Sequence, residues 1–359
     1  MIHRTFTRKA VLSALGASLL LGRLTSCAVE KRHPTAPKVA FGAHMGPAPG
    51  QTPVALAPWN LHYYEQREAQ LGRRLDFVTV MTSWKEGDTY LDFDPHGWDS
   101  QTQNRYPILL WTWSPEARWD GHHRENYSLR PSAIAAGDHD TYIDAYAEQV
   151  KAWGRRIIIR MMHEMNGDWM HWSPGFFPGQ TALDFVAAWS RIVDRFRARG
   201  ATNVEWCWCP NSFGDGGAHM GGANTLANLG SLYPGDEYVD WVGIDAYNRV
   251  PEATTLSMKL LLERGAGIYR IVRKIAPNKP VMLPEYGCNE QMDGGKPWFW
   301  TGIQEDLPRY FPAIRAISCW DRNLTGMFRV DNTASSLERY KLLANDPYFQ
   351  GSLRDTAVG

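Results

Sequence analysis

Two short segments hold the residues best suited to chemistry. One reads His163-Glu164-Met165-Asn166-Gly167-Asp168-Trp169 after the apolar run Ile157-Ile158-Ile159, and the other reads Leu283-Pro284-Glu285-Tyr286-Gly287 after Pro280-Val281-Met282. Each sets one carboxylate where a buried strand gives way to a loop. The two lie about 120 residues apart, which is about three strand-plus-helix units in a barrel of eight. Two carboxylates facing one cleft across such a barrel have the equipment to split a glycosidic bond: one carboxyl protonates the leaving oxygen, and the other attacks or stabilises the anomeric carbon.

The elements that must position them are legible as eight apolar runs, at residues 39–43, 77–81, 108–113, 157–162, 204–209, 239–245, 281–285 and 316–320. Their continuous hydrophobicity, without strict alternation, marks strands covered on both faces. Between them Tyr142, Tyr146, Gln149, Val150 and Trp153 recur at helical spacing, as do Phe185, Trp189, Ile192, Val193 and Phe196. Thr181 with Asp184 three residues later predicts a capping box opening the second helix. Met258, Leu261, Leu262, Ile268, Ile271 and Val272 predict one further long helix. Eight strands with intervening helices give an α/β fold, a single (β/α)8 TIM barrel, in which functional groups gather at the carboxyl ends of the strands. That rule selects Trp113, Glu164, Cys209 to Asn211, Asp245 to Tyr247, Glu285 and Trp320 for one mouth.

Local context strengthens the pair. Asn166 offers hydrogen bonds near Glu164, and Trp169 and Trp172 offer stacking surfaces. Arg160 shares strand parity with Glu164 and points into the barrel, where a buried guanidinium needs an acidic partner, Asp245 or Glu285. His163-Glu164 does not open a zinc-protease motif, because the required second histidine is replaced by Gly167. His122-His123, His139 and His171 lack ligand spacing, so no catalytic metal and no cofactor are expected. Gly214-Asp215-Gly216-Gly217 and Gly221-Gly222 lack the Lys-Ser/Thr of a phosphate loop and read as a flexible loop.

Composition sets the remaining bounds. Lys plus Arg equals Asp plus Glu at 38 each, and no basic run stands out, which removes the electrostatic case for nucleic acid. The 16 Trp and 15 Tyr exceed what a core of this size requires, and planar rings stack on the apolar faces of sugars. Arg4, Arg8 and Lys9, an apolar stretch from Ala10 to Gly22, and Leu24-Thr25-Ser26-Cys27 make residues 1–27 an export signal of lipoprotein type, too short to span a bilayer permanently. Residues 28–38 form a charged, proline-containing tether, and 39–359 the catalytic domain. Cys207, Cys209, Cys288 and Cys319 lie in or just after strand-like runs without the spacing of a disulfide framework, so buried free thiols are expected, with one long-range bridge as the alternative.

These motifs together closely resemble glycoside hydrolase family 26, retaining (β/α)8-barrel enzymes best known as β-mannanases. The resemblance rests on Arg160 with His163-Glu164-Met165-Asn166-Gly167 and Trp169, then Tyr233-Pro234-Gly235 leading to Val239-Asp240-Trp241-Val242-Gly243-Ile244-Asp245-Ala246-Tyr247, then Pro284-Glu285-Tyr286-Gly287, and Trp320. It implies Glu164 as acid/base and Glu285 as nucleophile, with His163 and Arg160 as their positioning partners. Tyr247 hydrogen-bonds the nucleophile in that scheme, while Trp169 and Trp320 line the sugar subsites; the segments around His44 and Trp113 match less clearly. The expected protein is an exported bacterial lipoprotein of the cell envelope, membrane-bound only through its lipid, with a periplasmic or secreted protein behind an ordinary signal peptide as the alternative; it is monomeric and an endo-glycosidase on a β-linked polysaccharide. β-1,4-Mannan leads, with mixed-linkage β-glucan, β-1,3-xylan and a self-made exopolysaccharide as alternatives, and a non-catalytic carbohydrate-binding lipoprotein as the alternative of another class. If Cys27 carries the lipid, radiolabelled fatty acid enters the wild type and not Cys27→Ser; equal labelling of both refutes the anchor.

Overall fold

The computed structural model describes residues 37–46, 61–94, 97, 105–119, 122–124, 126–212, 226–249, 257–289, 295–323 and 327–355. The export signal with Cys27, nearly all of the tether and the glycine-rich stretch 214–222 lie outside the described residues. Eight strands follow the predicted order: β1 (Ala40–Met45), β2 (Phe77–Glu86), β3 (Leu109–Trp119), β4 (Ile157–Met161), β5 (Val204–Trp208), β6 (Trp241–Gly243), β7 (Val281–Cys288) and β8 (Ile314–Asp321). Each pairs in parallel with its sequence neighbour, and β8 closes on β1 from Ala40 opposite Ala316 to Met45 opposite Asp321. The sheet is therefore a closed (β/α)8 barrel, as the apolar runs predicted.

Strand alternation sorts side chains into an inner and an outer layer. On β4, Ile158 joins Ala40, Phe77, Leu110, Trp241 and Met282 in the small inner cluster, whereas Ile157, Ile159 and Met161 belong to the large cluster beneath the helices. Leu353, near the end of the chain, completes the inner cluster. Arg160 has the parity of Ile158 and rises from this apolar floor into the barrel.

The helical shell follows from the same periodicities. Asp140–Trp153 buries Ile143, Tyr146, Ala147 and Val150 on one face, and its Tyr146 ring stacks on Trp113 at 4.3 Å. Trp113 thus faces the helices and not the mouth, a correction to the strand-end selection: as an odd-parity residue on β3 it points outward, where Tyr142 accepts its indole N–H. Ala182–Ala198 opens with the predicted capping box, Thr181 Oγ1 accepting from the Asp184 amide at 3.2 Å while Asp184 Oδ2 accepts from the Thr181 amide at 2.8 Å. The single helix expected over 258–272 is two, Met258–Glu263 and Ile268–Ile275. Gly265 and Gly267 between them adopt φ of +61° and +76°, conformations open to glycine that end one helix and re-aim the next. All four described cysteines are buried free thiols.

The sixth strand is also shorter than the run 239–245. Regular pairing stops at Gly243, Asp245 forms a lone bridge to Asn211, and pairing with β7 resumes at Ala246–Asn248. The interruption lies where Gly243 fits against its neighbours, since a Cβ there would stand 2.7 Å from Cys209 and 2.8 Å from the Pro284 ring. Gly243→Ala should therefore destabilise the barrel by about 1–3 kcal/mol through overpacking, read as a lowered urea midpoint with unchanged slope; an unchanged midpoint would contradict this packing.

Candidate active site

The chain leaves β4 through a strained turn. Met162 and Glu164 both adopt left-handed backbone angles, φ +43° and +54°, at about 1–3 kcal/mol for each such residue. The turn is pinned by the Glu164 amide, which donates to the Cys209 carbonyl at 2.7 Å, and by the Gly167 amide, which donates to the Glu164 carbonyl at 2.9 Å. Its result is to turn the Glu164 carboxylate over the open end of the barrel. Asn211 Nδ2 donates to Glu164 Oε1 and Trp169 Nε1 donates to Oε2 at 2.6 Å.

Both donors are themselves held. Asn166 and Asn211 exchange side-chain to backbone bonds of 2.8 and 2.9 Å, which locks the loops after β4 and β5 together. The Trp169 ring, 46% exposed, lies over Gly167, where a Cβ would meet it at 2.5 Å. Trp172, expected as a second stacking surface, is fully buried: its indole N–H donates to the His163 carbonyl at 2.7 Å, satisfying a polar group that the interior would otherwise leave unpaired. That bond fixes the backbone immediately before Glu164.

Glu285 projects from β7 into the same space. Arg160 Nη2 donates to Oε1, and the Tyr247 hydroxyl donates to Oε2 at 2.5 Å. Arg160 is wholly buried and binds everything its fork can reach: Nη1 meets both oxygens of Asp245 at 2.8 and 2.9 Å, and Nε donates to Thr112 Oγ1 at 2.9 Å. The sequence left its partner open between Asp245 and Glu285; it takes both. One oxygen each from Glu164, Asp245 and Glu285 lie within 4.8 Å of one another, the spacing of a cation site among the described residues. Two of those three carboxylates already answer to the guanidinium.

This arrangement drives the two glutamates apart in acidity. Burial pushes Glu285 up, but the Arg160 charge, His163 and the bonds from Tyr247 and Arg160 overcome it and hold the carboxyl down to about 2. Burial and the Glu285 charge raise Glu164, against the opposing pull of Trp169, Asn211 and Arg249. One carboxyl is therefore ionised and the other is biased toward its acid form, the division of labour an acid and a nucleophile need.

The predicted residues converge. Tyr247 and Trp320 pack edge to face at 6.4 Å with Phe328 beside them, and His44 stacks on Trp320 at 4.5 Å. Burial and Arg322 hold His44 down to about 3, so its neutral ring donates from Nδ1 to the Thr79 carbonyl at 3.1 Å and accepts from Arg322 at Nε2. His163 is buried beneath the turn, against Trp172. Reasoning from sequence missed Thr112, the role of Asn211, and Arg322; the last stands one residue beyond β8, where a count of strand ends carried slightly further would have reached it.

The family model for Glycosyl hydrolase family 26 matches residues 131–261, a stretch that includes Arg160, Glu164, Trp169, Asp245 and Tyr247 and stops before Glu285. Endoglucanase H of Acetivibrio thermocellus is 29% identical over 75% of this chain and 27% of its own length. Mannan endo-1,4-beta-mannosidase A and B of Caldalkalibacillus mannanilyticus is 29% identical over 45% of this chain and 28% of its own length. The matches thus span little more than a quarter of either relative. The catalytic domain of a Bacillus GH26 endo-β-1,4-mannanase superposes with a TM-score of 0.62 at 20% identity, covering 90% of this chain and 89% of that one, and so shares the fold. The resemblance read from the motifs is borne out.

The raised Glu164 has a consequence for stability. A carboxyl whose folded pKa exceeds its unfolded value favours the native state when protonated, and that advantage is lost as pH rises from the ordinary glutamate value through the folded one. Glu164→Gln should therefore raise Tm at pH 7 relative to wild type, and the gain should shrink as the pH falls toward ~4. A gain that is equal at both pH values, or a loss at pH 7, would contradict the assigned direction.

Proposed function

We propose, with the likeness to glycosyl hydrolase family 26 as premise, that this protein is a retaining endo-glycosidase acting on a β-linked polysaccharide of the β-1,4-mannan or β-glucan type. Glu285 is the nucleophile and Glu164 the acid/base. The observation that carries the reading is the approach of these two residues, with oxygens within 4.8 Å and acidities driven in opposite directions. Direct attack needs carboxyl groups ~5 to 5.5 Å apart, whereas an inverting pair stands roughly 6.5 to 9.5 Å apart to hold a water between them. The names of the two relatives, an endoglucanase and a mannan endo-1,4-β-mannosidase, supply the substrate class.

In this mechanism Glu164 protonates the glycosidic oxygen as Glu285 attacks the anomeric carbon. Once Glu285 is glycosylated its negative charge is gone, so one of the influences raising Glu164 disappears and the same residue can deprotonate the incoming water. Arg160 and Tyr247 hold the nucleophile from below and from the side, and His163 braces the turn that carries the acid. Trp169 and Trp320 offer rings to the sugar. No step calls for a metal or cofactor. The chain is further proposed to be exported and anchored through lipid on Cys27, which would keep the enzyme at the cell envelope.

A reducing-end assay on β-mannans, β-glucans and β-xylans should find the substrate, and proton NMR of the first product should report the retained anomer. Glu285→Ala should abolish turnover on every substrate. Glu164→Ala should spare the first step on substrates with an activated leaving group, with azide releasing the second. The inverted anomer as first product would sink the mechanism even if both glutamates proved essential.

A further inference from the structure

The mouth of the barrel holds a cation that the proposed chemistry does not use. Arg322 follows directly on β8 and is only 4% exposed. Its stem lies against Gly46, where a Cβ would stand 2.3 Å from Arg322 Cβ. Nη1 makes one long bond, 3.4 Å, to the neutral His44, and the guanidinium carbon lies 5.6 Å from the centre of the Trp320 ring. Nε is buried without a hydrogen-bond partner, and among the described residues no carboxylate pairs with this side chain.

The contrast with other arginines near the mouth is informative. Arg160 is matched by Asp245 and Glu285, and Arg118, on the part of β3 that extends past the rim, is matched by Glu116 at 2.9 Å. Arg118 therefore cannot help Arg322, and burial together with its like charge presses the Arg322 guanidinium toward losing its proton. The Glu285 charge reaches Arg322 through space but is already bound by Arg160 and Tyr247. A second cation, Arg249, lies exposed over the Tyr247 ring at 4.5 Å, and its field extends to Glu164. Among the described residues, then, two arginines of the mouth, one of them buried, pair with no carboxylate.

A buried guanidinium without an anion is costly, and its planar fork is shaped for two parallel bonds to a carboxylate. Sugar hydroxyls would fill its hydrogen-bonding positions and leave its charge unanswered. We propose that Arg322 binds a carboxylate on the substrate, so that the mannan- or glucan-type polysaccharide cleaved by Glu164 and Glu285 carries, among its neutral sugars, acidic ones of uronic acid type that are preferred at the subsite formed by Arg322, His44 and Trp320. The inference deepens the glycosidase reading and rests on it. Trp320 supplies the ring beneath the sugar, His44 steadies Arg322 without competing as a cation, and Arg249 draws the acidic chain toward the cleft.

The test uses the full chain and one polymer in two forms, neutral glucomannan and the same glucomannan oxidised at C6 to carboxylates. Binding is measured in the Glu164→Gln protein and turnover in the wild type. The oxidised polymer should bind more tightly by about tenfold or more, as a charge-assisted bidentate contact implies. In Glu164→Gln/Arg322→Gln the ratio should fall to about one, and with Arg322→Lys it should fall only part of the way, because the charge remains and the fork is lost. Should Arg322→Gln fail to fold by circular dichroism, the lysine variant decides. Equal binding of both polymers overturns the proposal, as does a preference that survives Arg322→Gln but vanishes in Arg249→Gln, which would assign it to the exposed rim. Failure of the hydrolase reading looks different: the wild type cuts neither polymer, while the Arg322-dependent preference for the oxidised form persists.

Discussion

A single guanidinium organises this molecule. Arg160 stands fully buried within the barrel, bound to Asp245, Glu285 and Thr112, and so ties β4 to the loop after β6, to β7 and to β3. An unpaired buried charge is expensive, and the guanidinium offsets that cost for both acids, although burial still pushes the Asp245 carboxyl well up while Glu285 is held down. The same contact keeps Glu285 ionised, and an ionised Glu285 helps to keep Glu164 protonated. Geometry and acidity at the site therefore descend from one residue that the solvent never reaches.

The frame around Arg160 was largely legible in the sequence because its causes are local. Ile157 to Ile159, apolar on both faces, had to be a covered strand, and Arg160 had to continue its parity. The capping box at Thr181 and Asp184 was readable for a similar reason: three residues suffice to define it. What failed depended on geometry across the fold. The run 258–272 has unbroken helical periodicity, yet Gly265 and Gly267 turn the chain in its middle. Trp113 reads as a cleft residue from its place at a strand end and Trp172 from its type and nearness to Glu164, but strand parity sends the first toward the helices, and the need of an indole N–H for a partner sends the second into the core.

The pair of carboxylates was readable for a different reason. Each follows an apolar strand and precedes a glycine, and the closed barrel converts those two sequence positions into neighbours. No sequence pattern announces the left-handed backbone of Glu164, although it is what carries the side chain from the strand to the cleft. Nor does any pattern announce that Arg322 lacks an anion, because a missing partner is a property of the whole surrounding cavity.

The closed end of the barrel deserves the same physical reading as its open end. Val39 enters β1 bonded through its amide to the Tyr348 carbonyl and through its carbonyl to the Gly351 amide, while Leu353 seals the floor of the interior and its carbonyl accepts from Arg156. The N-terminal approach to the fold and the last described turn thus meet on the face opposite the cleft. The lipid anchor proposed at Cys27 would thus pull on the base of the barrel, on the side away from the cleft. The polysaccharide proposed above would then lie across the mouth, where cleavage in mid-chain needs neither of its ends to thread past the support.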